Sequence, residues 1–488
     1  MKTALRRIFS ESARLDVSPD SLADDADLYA AGLSSLATVH LIRDSGPHAH
    51  AAALLQHRFD GRRGHRTAAG ESSMNAPLLD PAAPAASPAP AALTAIEPEP
   101  GWRAAAQRCA AQFADAVDSE ARFPVEAFAA LKHERLLSAM VPTACGGAGL
   151  SLADVGAICE TLAQGCASTA MIYAMHQIQV ACIDEHGGAS PWHRQLLAQL
   201  SEHQWLFASA TSEETIGGNM RTSACAVELD GARFRIEKLA PTISYGAHAD
   251  AILVTARRTA ESAAADQVLI VALREETLLE HRGVWDSMGM RGTCSEGFRL
   301  VATGLAEQIL PTPFADIADQ TMLPVSHTLW ASVWTGVAAD AVNRAKAFFR
   351  AQARSKPGSI PPAGMRLAQA VGLLQMMQAR LQVALDAARA AHAARLNESQ
   401  ADAPLAAMLG FASDMNTLKT SISSTALDVV QEVLMICGMA GYKNGTPYSV
   451  GRHLRDLYSA PLMINNDRIA QNTASLLLAQ RPAAPGRA

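Results

Sequence analysis

The chain has 488 residues, too many for one ordinary core, so roughly two to four folding units are expected. With 49% hydrophobic and 18% charged residues it can fill large cores, and a net charge of −6 with dispersed basic residues argues against nucleic-acid binding as the main task. No run of about 18 uncharged apolar residues is present, so no membrane span is expected, and the basic N-terminus lacks the apolar segment of a secretory signal. The eight cysteines are scattered without a CxxC pair. Cys159, Cys166 and Cys437 sit in helical apolar contexts, which predicts buried free thiols in a cytoplasmic protein and no metal site.

Residues 1–42 read as a small helical unit, with Leu5, Ile8, Phe9 and Leu15 on one face. The stretch Asp27–Ile42 contains Gly32-Leu33-Ser34-Ser35-Leu36 at the start of a helix. It resembles the attachment motif of the acyl carrier proteins, with Ser34 in place of the usual Asp and Ser35 where that family carries phosphopantetheine. A serine at a helix N-terminus is exposed, and free backbone N–H groups beside it suit a phosphodiester. After Arg43 the periodicity and acidic surface of a carrier are missing, and Pro77–Pro100 is a Pro/Ala-rich linker, so residues 43–100 are expected to be disordered. Two readings stand: a carrier fused to an enzyme, or an upstream segment ahead of a true start at Met74. The shortness of the fragment favours the second.

Residues 101–204 read as a helical domain. Trp102, Ala105, Ala106, Cys109, Phe113 and Val117 recur at helical spacing, followed by Phe128, Leu131, Leu136 and Leu137. The Gly-rich break Cys145–Leu150 precedes a capping box at Ser151 and Asp154. It is read as a structural loop, because no strand–loop–helix context makes it a phosphate cradle. Residues 205–316 form a β-rich domain. Its signals are a hairpin with its turn at Asp230-Gly231 and the runs Ala251–Ala256, Gln267–Leu273 and Gly297–Ala302. Residues 317–488 return to helix, with candidates at Pro324–Arg354, Met365–Arg395, Pro404–Cys437 and Asn466–Leu478, the third stopped by Gly438 and Gly441. The fold class is therefore α+β: helical domain, central β-barrel-like domain, C-terminal four-helix bundle.

Five segments in this order carry a further resemblance over Gly101–Leu478. They are Cys145–Thr169, Phe207–Asn219, Glu237–Asp250, Gly283–Phe298 with its G-M-R-G-T-x-S pattern, and Ile436–Leu457 with its Arg-Asp close. Together they resemble the acyl-CoA dehydrogenases, a family of FAD-dependent oxidoreductases of fatty acid metabolism. The resemblance implies that Thr211 and Ser212 contact the flavin's polar edge and that Gly217 and Gly218 lie near its pyrophosphate. It implies too that Ile243 and Ser244 lie against the ring. Arg354 of the segment Arg354–Gly358 would reach the FAD of a neighbouring subunit, a role that suits a guanidinium. Gly438 belongs to the closing motif.

The implied reaction is α,β-dehydrogenation of an acyl-CoA or carrier-bound acyl thioester, with loss of an α proton to a base and a β hydride to flavin. The implied partners are an electron-transfer flavoprotein and further copies of the chain in a homodimer or homotetramer. The family's catalytic Glu aligns with Ile464, and its alternative Glu with Ser326-His327. Asp467, one helical turn beyond Ile464, is the nearest acid and the candidate base; a capping role for it is the competing reading, and structural roles are expected for His327 and His453. Two alternatives remain: a flavin-dependent monooxygenase on the same fold, which needs no Glu base although its His-rich C-terminal signature is absent, and a catalytically inactive flavin- or thioester-binding protein.

Overall fold

The computed structural model describes residues 102–188, 190–214, 219–355, 360–396 and 405–480, all within the unit Thr94–Ala488. The carrier-like motif with Ser35 lies outside the described residues. Five helices come first: α1 (Trp102–Ser119), α2 (Val125–His133), α3 (Leu152–Ala163), α4 (Ala167–His186) and α5 (Pro191–His203). The capping box is formed as expected. The Ser151 side chain accepts from the Asp154 N–H, and the Asp154 carboxylate accepts from the Ser151 N–H. The Gly-rich break folds back on itself: a Cβ on Gly147 would lie 2.1 Å from the Val141 carbonyl oxygen, so only glycine fits there.

Seven strands follow: β1 (Phe207–Ala210), β2 (Glu228–Asp230), β3 (Arg233–Ile243), β4 (Ala251–Arg257), β5 (Gln267–Leu273), β6 (Thr277–Gly283) and β7 (Glu296–Leu305). They form two separate sheets, β1-β4-β5 and β2-β3-β7-β6, so the central β domain is a two-sheet unit, with no closed barrel among the described residues. Strands β4 and β5 are buried on both faces, which is why they read as unbroken apolar runs. Strand β6 is an exposed edge carrying Glu280, His281 and Arg282, and so gave no apolar signal.

The β2–β3 hairpin is present with its turn one residue later than expected. Asp230 pairs with Arg233, so the turn residues are Gly231 and Ala232, and among these only Gly231 has positive φ (57°). A glycine at the first turn position is what a II′-type hairpin requires. Strand β3 also carries a bulge between Ala240 and Ile243. Pro241 has no N–H to give to the ladder, so the irregularity falls there and Thr242 is left exposed.

The C-terminal helices are α6 (Leu323–Ser355), α7 (Gly364–Leu396), α8 (Leu405–Cys437), a short α9 (Gly451–Leu457) and α10 (Asn466–Ala479). Helix α6 is central, packing on α3, α4, α7 and α8. A Cβ on Gly336 would lie 2.2 Å from the Glu160 carbonyl oxygen, so glycine permits the close α3–α6 crossing. Gly438 (φ 55°) ends α8, as its residue type predicts. Cys159, Cys166 and Cys437 are buried and free, and burial raises each thiol's pKa, to about 11 for Cys437. No described helix is long and apolar enough to cross a membrane.

Candidate functional site

The loop after β1 is held by a buried ion pair. The Glu213 carboxylate accepts from the Ser223 hydroxyl (2.8 Å) and from the Ala224 and Cys225 N–H groups (2.8 Å to Cys225). It lies 3.6 Å from the Lys238 ammonium, which donates to the Thr255 carbonyl (2.7 Å) and hydroxyl (2.9 Å). A charge pair this deep is tolerable only because its members have such further partners. It fixes the neighbouring Ser212, whose hydroxyl donates to the Thr242 carbonyl at 3.0 Å and lies 3.3 Å from the Thr242 hydroxyl. Thr211 is half-buried beside it. Gly217 and Gly218 lie outside the described residues.

The same strand end presents Ile243, fully buried, and Ser244. The hydroxyls of Ser244, Ser295 and Thr293 stand 2.8 Å apart in sequence, and Thr293 donates to the Met290 carbonyl at 2.8 Å. Each hydroxyl has one proton, so the direction is set: Ser295 donates to Thr293 and Ser244 donates to Ser295, which leaves the Ser244 oxygen free to accept. Tyr245, in the left-handed region at φ 44°, donates its hydroxyl to the Phe207 carbonyl at 2.9 Å. Residues from β1, β3 and the loop before β7 thus meet at one edge, bringing together Thr211, Ser212, Ile243 and Ser244.

His176 of α4 supports this edge from beneath. One ring nitrogen lies 2.7 Å from the Leu137 carbonyl, and the other accepts from the Phe207 N–H at 2.9 Å, so the ring is neutral with its proton on Nε2. Complete burial pushes its pKa down to about 4. The G-M-R-G-T segment is locked to the bundle by close approach. A Cβ on Gly289 would lie 2.0 Å from the Arg455 carbonyl oxygen, and one on Gly292 would lie 2.3 Å from Val117. Arg455 pairs with Asp118 and donates to the Met288 carbonyl, while buried Asp456 accepts from the Met290 N–H at 2.7 Å. Burial raises the Asp456 carboxyl to about 6. Gly289→Ala is therefore expected to cost at least about 3 kcal/mol, because backbone rather than a flexible side chain must move. Urea unfolding checks this; a loss under 1 kcal/mol would refute the contact.

The positions aligned with a catalytic carboxylate hold none. Ile464 is in the left-handed region (φ 46°), and its carbonyl accepts from the Lys419 ammonium at 2.8 Å. Asp467 is exposed in the first turn of α10, where its N–H is capped by the Asn465 side chain. Ser326 donates to the Leu323 carbonyl, and His327 Nδ1 lies 3.1 Å from the Met415 carbonyl. His453 Nε2 pairs with Asp340 at 2.7 Å. Arg354 is exposed in the last turn of α6, and Gly438 lies at the far end of α8. Among the described residues no group of His, Cys, Asp and Glu is arranged to hold a metal ion.

Sequence reasoning missed Lys419 and His176. Lys419 is fully buried in α8 and donates to the Ala460 carbonyl (3.0 Å), the Ile464 carbonyl and the Asn466 side-chain oxygen (2.7 Å). Its sequence neighbours are polar and apolar by turns, and nothing local marks it as buried. The side chains of Trp330 and Trp334 had only a helical-spacing signal shared with any core stripe.

Comparison with known proteins agrees with this architecture. Residues 101–227 match the family described as acyl-CoA dehydrogenase, N-terminal domain. The chain is 26% identical over 360 residues to the amino sugar nitrososynthase DnmZ of Streptomyces peucetius, covering 71% of this chain and 84% of that protein. A stretch of 42 residues is 48% identical to an aminoacyl carrier protein of Agrobacterium fabrum, spanning 51% of that protein's length and 9% of this chain. Among solved structures, FMN-bound TdsC from Paenibacillus sp. A11-2 superposes with a TM-score of 0.67 at 18% identity, covering 79% of this chain and 99% of that one. A second structure of TdsC, there described as a dibenzothiophene monooxygenase, gives 0.65 at 18% identity over 80% and 99%. The chain has the acyl-CoA dehydrogenase-like fold, and its relatives on that fold include a nitrososynthase and a monooxygenase.

Proposed function

We propose that this chain is a flavin-dependent monooxygenase that oxygenates an amine-bearing substrate, an aminoacyl group held on a carrier protein being the favoured form. The observation that carries this reading is the missing base. Dehydrogenation of an acyl thioester needs a carboxylate within hydrogen-bond reach of the α proton. Ile464, Ser326 and His327 occupy the aligned positions, and Asp467 faces solvent. Oxygenation makes no such demand. The nitrososynthase relative supports an amine substrate, and the aminoacyl carrier match supports a carrier-held one. A dehydrogenase, first in the sequence reading, takes second place on these grounds.

The residues at the β1–β3 edge fit a flavin. Its ring edge carries both N–H and C=O groups, and the Ser212 and Thr242 hydroxyls and the free acceptor of Ser244 can serve both kinds. Ile243 is buried beneath this edge and offers the ring no surface, and Arg354 offers a cation for the phosphate of a neighbouring copy's flavin. A reduced flavin, as FMN or FAD, would supply two electrons, so that R–NH2, O2 and two protons give R–NHOH and H2O. The protein's part is to orient the ring through these hydroxyls and to keep the edge rigid through the Glu213–Lys238 pair and His176.

The test combines the purified protein with FMN or FAD, an NADH-driven flavin reductase, oxygen and a panel of free amino acids, aminoacyl carriers and acyl-CoA thioesters. Products one oxygen heavier from an amine, formed only with reductase and oxygen, are expected by mass spectrometry. Bleaching of the bound oxidised flavin by a saturated acyl thioester without oxygen would instead establish the dehydrogenase.

A further inference from the structure

Asp456 is buried, at 2% exposure, yet no ion pair among the described residues includes it. Its three basic neighbours in sequence are turned to other acids: Arg452 to Asp115, His453 to Asp340 and Arg455 to Asp118. Among the described residues its carboxylate has one hydrogen bond, from the Met290 N–H. A buried carboxylate without a cation is costly. The cost is offset by what that bond secures.

It secures Met290 in the left-handed region (φ 51°, ψ 34°), which a non-glycine residue adopts only when its surroundings impose it. In that conformation the Met290 carbonyl takes three donors. They are the Thr293 N–H at 3.1 Å, the Thr293 hydroxyl at 2.8 Å and the Trp285 indole N–H at 3.1 Å. The hydroxyl proton of Thr293 is thereby spent. The 2.8 Å contact between Thr293 and Ser295 is then a hydrogen bond only if Ser295 donates. The equal contact between Ser295 and Ser244 is one only if Ser244 donates. The Tyr245 N–H donates to the Thr293 carbonyl at 2.7 Å and keeps the two segments in register. The Met290 carbonyl thus sets the proton order of the whole row, and Ser244 at its end can only accept.

We infer that Asp456 and Trp285 are positioning residues, which hold the N–H and C=O of Met290 so that Ser244 meets a bound flavin as an acceptor for a ring N–H. This rests on the flavin reading of the β1–β3 edge. It gives the unpaired acid and the strained residue one task, the orientation of a ring that carries N–H and C=O groups on the same edge. A ring turned to present a C=O there meets a lone pair instead of a donor, so the row disfavours that orientation.

The test is the affinity for FMN and FAD, read by quenching of flavin fluorescence, and it needs no turnover. Thr293→Val leaves Ser295 without its acceptor, so Ser295 donates to Ser244 and the Ser244 proton turns toward the flavin. Affinity is expected to fall about tenfold, the worth of one hydrogen bond. Asp456→Leu is expected to lower it about tenfold and the milder Trp285→Phe about threefold. Asp456→Asn keeps an oxygen for the Met290 N–H and should retain the parent affinity. The double variant Trp285→Phe/Thr293→Val separates positioning from general loosening of the fold. Action through the row predicts that it binds flavin no more weakly than Thr293→Val alone. Additive losses, or an unchanged affinity in Thr293→Val, would overturn the inference. A chain that binds neither FMN nor FAD overturns both it and the flavin reading. If affinities follow the expected pattern but no amine is oxygenated, the positioning role stands and the monooxygenase reading fails. If amines are oxygenated with flavin affinity unaltered in every variant, the reading stands and the role fails.

Discussion

Replacing Lys419 with methionine is expected to lower the stability of the C-terminal bundle by about 3 kcal/mol. Methionine fills much the same space but has no proton to donate. Lys419 reaches across from α8 to three oxygens of the turn 460–466, two of them backbone carbonyls and one the Asn466 amide. Asn466 in turn donates to the Ser423 hydroxyl at 3.0 Å, so the lysine holds one end of a small network. Each buried acceptor left without a partner costs about 1–3 kcal/mol, and the offset is relief from burying an ammonium. The turn it holds contains Ile464 in a left-handed conformation, which a β-branched residue adopts only when its surroundings impose it. Hydrogen exchange should therefore report the loss locally. Protection of residues 460–466 should fall by about 100-fold, two decades for about 3 kcal/mol. Unchanged exchange there in Lys419→Met would show that the lysine does not anchor the turn.

The second large effect is a pH dependence centred on His176. Its ring nitrogens are both engaged in the neutral state, one toward Leu137 and one from Phe207. Protonation would put a proton on the nitrogen that already faces the Phe207 N–H. The folded pKa of about 4 is below the ordinary 6.5. Between those values the unfolded chain binds a proton that the folded chain does not, so stability falls as pH is lowered. The His176 contribution is complete above pH 6.5 and lost as pH falls through about 4, a change of about 3 kcal/mol. His193 and His327, also depressed to about 4, act in the same direction. Asp184 and Asp456, raised to about 6, act in the opposite direction as pH falls from 6 to 4. The His176→Gln variant isolates one member of this set, because Gln can pair with the same two groups without titrating. Urea unfolding of both proteins at pH 7 and pH 4.5 should show the parent losing more stability by roughly 2–3 kcal/mol. Parallel losses would mean that His176 is not buried neutral.

Much of the fold follows from local pattern. The four long bundle helices, the capping box at Ser151, the stop at Gly438 and the runs of β4 and β5 are set by periodicity, capping chemistry and positive-φ positions within a few residues of each other. The joining of Ser212 to Thr242 was legible only as a resemblance between motifs. Local pattern ended where a residue's role depends on a distant partner. The hairpin turn moved by one residue because strand pairing chose the register. Strand β6 has no apolar stripe because it lies at a sheet edge. Asp467, the nearest acid in sequence to the aligned base position, is turned to solvent by the left-handed Ile464 and the cap at Asn465. Lys419 is a buried anchor because three oxygens 41 to 47 residues away surround it. His327, Trp330 and Trp334 share a helix face that any core stripe would show. Sequence sets which elements form, because propensity, periodicity and turn chemistry act over short stretches. Burial and hydrogen-bond partners, and with them the chemistry of the site, belong to contacts between elements far apart in the chain.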